Sequence, residues 1–112
     1  MASILIALGS NYQQSAHIQW ASQRLCTLFS EVSFTPVLWT PDIHGHCTWY
    51  MNRLIYAETA LSPTQLIDLL KQTEQEAHRT KEHVTIDLDL MQYNKDRYHL
   101  DDWKRSYITR LL

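Results

Sequence analysis

The sequence predicts an α+β fold of the ferredoxin-like, split βαβ kind: a βαββαβ order giving an antiparallel sheet with helices packed on one face. Three observations predict it. Strand-like and helix-like segments follow one another as strand, helix, strand, strand, helix, strand. The first, residues 3–8, is apolar throughout, as expected of a strand covered on both faces. The last, residues 84–91, alternates with a period of two. The 112 residues suit one domain, residues 1–112, around one core.

Each element has its own local reason. Gly9-Ser10-Asn11 breaks the first strand. Ile18, Ala21, Leu25 and Leu28 then recur at helical spacing between residues 13 and 29. Residues 32–39 are rich in β-branched and aromatic types, and Pro36 among them predicts an edge strand. Pro41 and Gly45 mark residues 40–48 as a loop. Residues 50–59 read as a further strand, with Tyr50, Asn52, Leu54 and Tyr56 on one face. Ser62-Pro63-Thr64-Gln65 is a helix start: Ser62 caps, Pro63 suits the first helical position and Gln65 closes a capping box. Leu66, Ile67, Leu69, Leu70, Thr73 and Ala77 line one side of that helix, expected to run to about Arg79. In the last strand Val84, Ile86, Leu88 and Leu90 face one way, and Thr85, Asp87, Asp89 and Met91 the other. Residues 92–112 are polar and mixed, with weak helical character near their end.

Composition narrows the function. A formal net charge of -2 gives no support for binding nucleic acid or an anionic membrane surface. No apolar run approaches the roughly 20 residues that span a bilayer. The opening residues lack the basic region and cleavage site of a secretory signal. Cys26 and Cys47 show no CxxC spacing and read as free thiols, which predicts a cytoplasmic protein.

Asp87 and Asp89 leave one face of a strand about 6.6 Å apart, at roughly 3.3 Å per residue. Two hard oxygen ligands at that separation suit Mg²⁺ that keeps waters and binds substrate phosphates. A bare pair of this kind also reads as an acidic, solvated strand face. Trp39, Thr40, Pro41, Ile43, Trp49, Tyr50 and Asn52 mix flat apolar surface with amide and hydroxyl groups, as a planar heterocycle requires. The same residues can equally be core aromatics. His44, His46 and Cys47 are candidate zinc ligands, but a closed site needs about four and no second cluster supplies them. Lys95, Arg97, His99, Lys104 and Arg105 form a basic patch that suits triphosphate oxygens or a solvated face. No GxxxxGK[ST] pattern is present, which excludes P-loop chemistry.

Taken together, IALGSN, Thr40-Pro41, Tyr50-Met51-Asn52, Glu74, Arg79 and Ile86-Asp87-Leu88-Asp89-Leu90 resemble the 6-hydroxymethyl-7,8-dihydropterin pyrophosphokinase family of folate biosynthesis. The resemblance covers roughly residues 4–112. It implies transfer of pyrophosphate from ATP to the hydroxymethyl group of a reduced pterin, with two Mg²⁺ ions. By that resemblance Asp87 and Asp89 hold the ions, and with Arg79 form the catalytic set. Thr40, Pro41, Ile43, Tyr50, Asn52 and the ring of Tyr107 adjoin the pterin. Glu74, Arg79, His99 and Arg105 face ATP. The implied partners are these two small molecules, on a monomer or weak dimer. Tyr107 stands where the family usually has phenylalanine and still offers a flat face.

Departures from the family pattern accompany the likeness. Only residues 80–83 occupy the place of a longer, arginine-rich loop before the aspartate strand, and Val84 stands where an arginine is usual. Loss of such a charge costs on the order of several kcal/mol of transition-state stabilisation. Lys81 replaces one arginine as a point charge, not a fork. The segment between Asp89 and His99 is short, and the chain ends soon after Tyr107, which predicts a shortened member. A second expectation follows: a catalytically impaired relative that binds pterin or nucleotide, or scaffolds another folate enzyme.

Overall fold

A computed structural model of the chain describes residues 1–42, 48–80 and 83–112. Its elements run β1 (Ala2–Ser10), α1 (Gln14–Leu28), β2 (Ser30–Phe34), β3 (Leu38–Pro41), β4 (Trp49–Thr59), α2 (Pro63–Glu76), β5 (Asp87–Tyr93), β6 (Asp96–Arg97), a 3₁₀ helix (Leu100–Lys104) and α3 (Ser106–Leu111). The strands form one antiparallel sheet ordered β2-β4-β1-β5-β6, with β3 also paired to β4. Among the described residues no helix is long and apolar enough to cross a membrane.

β1 lies at the centre because its run is apolar on both faces. Ile4, Ile6 and Leu8 pack with Ile18 and Leu25 of α1 and Leu66 and Leu70 of α2. Leu5 and Ala7 face the other way, against Leu54, Met91 and Ile108. Helices therefore cover both faces, not one as expected. The weakly helical tail supplies the second layer: Ile108 of α3 is fully buried, with Trp103, Tyr107 and Leu111 around it. Each such buried aliphatic side chain contributes on the order of 1.5–3 kcal/mol.

The local signals fare unevenly. The capping box forms as expected: the Gln65 N–H donates to Ser62 Oγ (3.3 Å) and the Ser62 N–H to Gln65 Oε1 (3.0 Å). The single edge strand expected over residues 32–39 is instead two strands, broken around Pro36, which has no N–H to give a ladder. Thr35 bridges the break. Its hydroxyl accepts from the Leu54 N–H (2.9 Å) and its own N–H donates to the Leu54 carbonyl (3.0 Å). α2 stops at Glu76, short of Arg79, because His78 takes a left-handed backbone with φ 56°. β5 begins at Asp87, later than expected, because Val84 pairs with Asn11 and not with a ladder strand. By alternation Met91 shares the face of Asp87 and Asp89 and packs in the second core, and a register shift opposite Leu5 and Ile6 lies beside it.

Candidate functional site

Strand alternation carries Tyr50 and Asn52 of β4, Thr40 of β3 and Asp87 and Asp89 of β5 to one side of the sheet. They converge on a cavity of about 410 Å³, floored by Ala7, Leu8 and Gly9 of β1. Pro41, Arg79, Arg105 and Tyr107 complete its walls, so nine of the twelve candidate residues share it. The other two that are described, Glu74 and His99, line a neighbouring hollow of about 470 Å³. Arg79, Asp87 and Asp89 belong to both spaces and form the wall between them. Ile43, the zinc candidates His44, His46 and Cys47, and Lys81 lie outside the described residues.

The first space is lined by flat rings and by fixed polar groups. Asn52 is almost wholly buried. Its Nδ2 donates to Thr40 Oγ1 (2.8 Å) and to the Leu38 carbonyl (3.1 Å). Those bonds fix the amide and leave Oδ1 beside the glycine floor, 3.7 Å from where a Gly9 side chain would begin. The Tyr50 ring stands 3.6 Å from that same point. Burial raises the phenol pKa of Tyr50, with Asp42 and Asp87 adding to the effect, and burial likewise raises that of Tyr107. Both hydroxyls stay neutral at physiological pH and act as hydrogen-bonding groups.

The shared wall is charged and tightly bonded. Arg79 Nη1 donates to Asp87 Oδ1 (2.9 Å) and to Glu74 Oε2 (3.0 Å), and Glu74 Oε2 also accepts from the Leu88 N–H (2.8 Å). Burial alone would lower the Arg79 pKa, but the charges of Asp87 and Glu74 outweigh it and raise it. Burial raises the Glu74 carboxyl, against the opposing Leu88 bond. Asp89 is pushed up to about 7, first by burial and then by the charge of Asp87 and a hydrogen bond with it. His99 Nε2 lies 3.8 Å from Asp89 Oδ1. The rest of the basic patch is dispersed: Arg97 lies 4.0 Å over the Trp103 ring, and Arg105 pairs with Asp102 at 3.0 Å.

Sequence reasoning missed Asn11. Its Oδ1 accepts from the Val84 N–H (2.8 Å), and its Nδ2 donates to the Tyr50 hydroxyl (3.3 Å). The available signal was a short amide side chain at a strand end, a residue type that bonds backbone groups out of register. Val84 and Ser106 also line the cavity and carried no chemical signal of their own.

Fold and cleft together define a mixed α/β protein with an antiparallel sheet and a cavity that shares a carboxylate–guanidinium wall with a second hollow, the kind of concave, polar-pointed space that small molecules occupy. The family model described as 7,8-dihydro-6-hydroxymethylpterin-pyrophosphokinase matches residues 5–112, and the chain belongs to that family. Membership supports a pyrophosphokinase role in folate biosynthesis. A search of curated proteins gave no match.

Proposed function

We propose that this protein transfers the pyrophosphoryl group of ATP to the hydroxymethyl oxygen of 6-hydroxymethyl-7,8-dihydropterin, with Mg²⁺. The observation that carries the reading is the common wall: Asp87, Asp89 and Arg79 border both the flat slot and the adjoining hollow. A pterin in the slot and a nucleotide in the hollow would therefore meet at the acid pair. Reducing β2 and β3 to one edge strand, and setting β6 aside, leaves a βαββαβ order that supports the ferredoxin-like reading.

The residues fit a divalent cation. Among the described residues no set of three or more His, Cys, Asp or Glu has metal-holding geometry. Mg²⁺ needs no such set, since one or two carboxylates with waters and phosphate oxygens suffice. Burial first, and then the charge of Asp87, push Asp89 up to about 7, so the pair is costly to ionise fully and a cation would relieve it. Asp87 and Asp89 would hold Mg²⁺, which neutralises phosphate charge in such transfers.

The chain's own groups would do the rest. Asn52 Oδ1 accepts from a donor on the pterin edge, while Tyr50, Pro41 and Tyr107 confine the ring. Arg79, which lines both spaces, and Arg105, which lines the slot, offer guanidinium groups to the phosphates, and His99 lines the hollow with Arg79. Aligned there, the hydroxymethyl oxygen forms a bond to the β-phosphorus as the bond from that phosphorus to the α,β-bridging oxygen breaks. AMP departs and the hydroxyl proton passes to water. Holding the two ends in line supplies much of the rate.

Asn52→Ala should weaken reduced-pterin binding by about 10–100-fold, the loss of a buried polar anchor, and leave ATP affinity within about threefold. Calorimetric titration with each ligand tests this. ATP affinity falling more than pterin affinity would overturn the assignment of the slot.

One observation favours a catalytically impaired, ligand-binding relative. Arg79 and Arg105, the two arginines that line the slot among the described residues, are both paired with the protein's own carboxylates. Pterin and ATP binding without AMP formation would establish that second reading.

A further inference from the structure

Val84 and His83, in the connection from α2 to β5, are held by residues at and just after the end of β1. The Asn11 N–H donates to the Val84 carbonyl (3.0 Å), and Asn11 Oδ1 accepts from the Val84 N–H (2.8 Å). Ser10 Oγ, fully buried, adds a longer bond to the same carbonyl (3.4 Å). One residue on, the Tyr12 ring stacks on His83, with centroids 4.1 Å apart and planes at 27°. His83 is tied to Thr80: the Thr80 N–H donates to the His83 carbonyl and the His83 N–H to Thr80 Oγ1, both at 3.1 Å. Thr80 follows Arg79. From Asn11 the path runs the other way as well, since Nδ2 donates to the Tyr50 hydroxyl at 3.3 Å. Tyr50 and Val84 line the slot, while Asn11 stands behind them and lines a different surface hollow.

We propose that Asn11 is a positioning residue that clamps the Val84 segment, and Arg79 with it, at a fixed distance from the Tyr50 wall of the slot. The identity of the ligands rests on the reading above; the clamp itself does not. One side-chain amide joins the ring-holding wall to the segment that delivers the guanidinium. Acceptor and donor are both used, so a residue with neither cannot do it. In-line transfer is sensitive to such placement, and a shift of about 1 Å at the reacting ends costs about 10²-fold in rate.

The test uses the full chain with Asn11→Ala, Asn11→Asp, Tyr50→Phe and the Asn11→Ala/Tyr50→Phe double variant. Amide exchange at Val84 is read first, because it needs neither ligand nor turnover. It should quicken by about 5–10-fold in Asn11→Ala, the equivalent of one ordinary hydrogen bond. Asn11→Asp keeps the acceptor for the Val84 N–H, and its second oxygen can accept from the Tyr50 hydroxyl in place of the lost donor, so it should protect Val84 as the parent does. Tyr50→Phe should also quicken it, through the freed amide. Turnover, read as AMP release, should fall about 10²-fold in Asn11→Ala with the KM for ATP within about threefold. Asn11→Asp should recover most of that loss. The double variant should be scarcely worse than the more damaging single change, because both break one link. Unchanged Val84 exchange in Asn11→Ala, or additive losses in the double variant, would overturn the clamp. A parent protein that forms no AMP would instead overturn the proposed reaction, with the exchange result still deciding the clamp.

Discussion

Asp89→Asn is expected to lower pyrophosphoryl transfer by at least about 10³-fold while raising thermal stability at pH 8. The activity loss follows from removing one of two anionic oxygen donors at the shared wall. The stability gain follows from linkage. Burial and Asp87 push the folded-state pKa of Asp89 up to about 7, against roughly 3.9 in the unfolded chain. Between those values the folded state binds a proton that the unfolded state does not. This group's contribution is therefore fully present below about pH 4 and lost as pH rises through about 7. Asparagine keeps the shape and removes the penalty, which is on the order of 2–4 kcal/mol above pH 7. Thermal unfolding at pH 5 and pH 8 checks the sign: the variant's advantage should appear at pH 8 and shrink at pH 5. Mg²⁺ should raise the Tm of the parent at pH 8 by mass action and leave that of the variant nearly unmoved. An equal response to Mg²⁺ in both proteins would remove Asp89 from the cation site.

Arg79→Ala should cost about 10²–10³-fold in kcat/KM, less than the full value of an unpaired arginine on a phosphoryl group, because Arg79 already shares its charge with Asp87 and Glu74. A second consequence separates its roles. Without the guanidinium, Glu74 and Asp87 face each other uncompensated, and the already raised Glu74 carboxyl should climb further. Stability near neutral pH should fall by about 1–3 kcal/mol. Arg79→Ala/Glu74→Gln should regain much of that stability and none of the activity. Both bonds come from Nη1, so Arg79→Lys can keep a charge between the carboxylates but loses the remaining guanidinium donors that a phosphate would take, and it should recover about tenfold of the rate at most. Recovery of activity in the double variant would show that Arg79 acts only by neutralising Glu74.

What the sequence disclosed follows the range of the physics involved. The Ser62–Gln65 capping box is local chemistry, and it forms with the residues that announce it. The facing of Asp87 and Asp89 follows from a period of two, and both reach the cavity. The boundary of α2 was set by a left-handed His78, which no apolar spacing announces. The split between β2 and β3 needed the Thr35–Leu54 bonds as well as Pro36. Cover for Leu5 and Ala7 came from residues about a hundred positions away, so a tail of weak helical pattern became the second layer. Arg79 with Glu74 and Asp87, and Asn11 with Val84 and Tyr50, are tertiary pairings between residues with no common period.

The most direct measurement is AMP release by the purified chain supplied with ATP, Mg²⁺ and 6-hydroxymethyl-7,8-dihydropterin, each also left out in turn. A pterin in the slot and ATP in the adjoining hollow, meeting at the acid pair as proposed, would give AMP in step with pterin consumed, and none when any one component is missing. AMP formed at the same rate without the pterin, or no AMP while both ligands bind, would contradict pyrophosphoryl transfer at this wall.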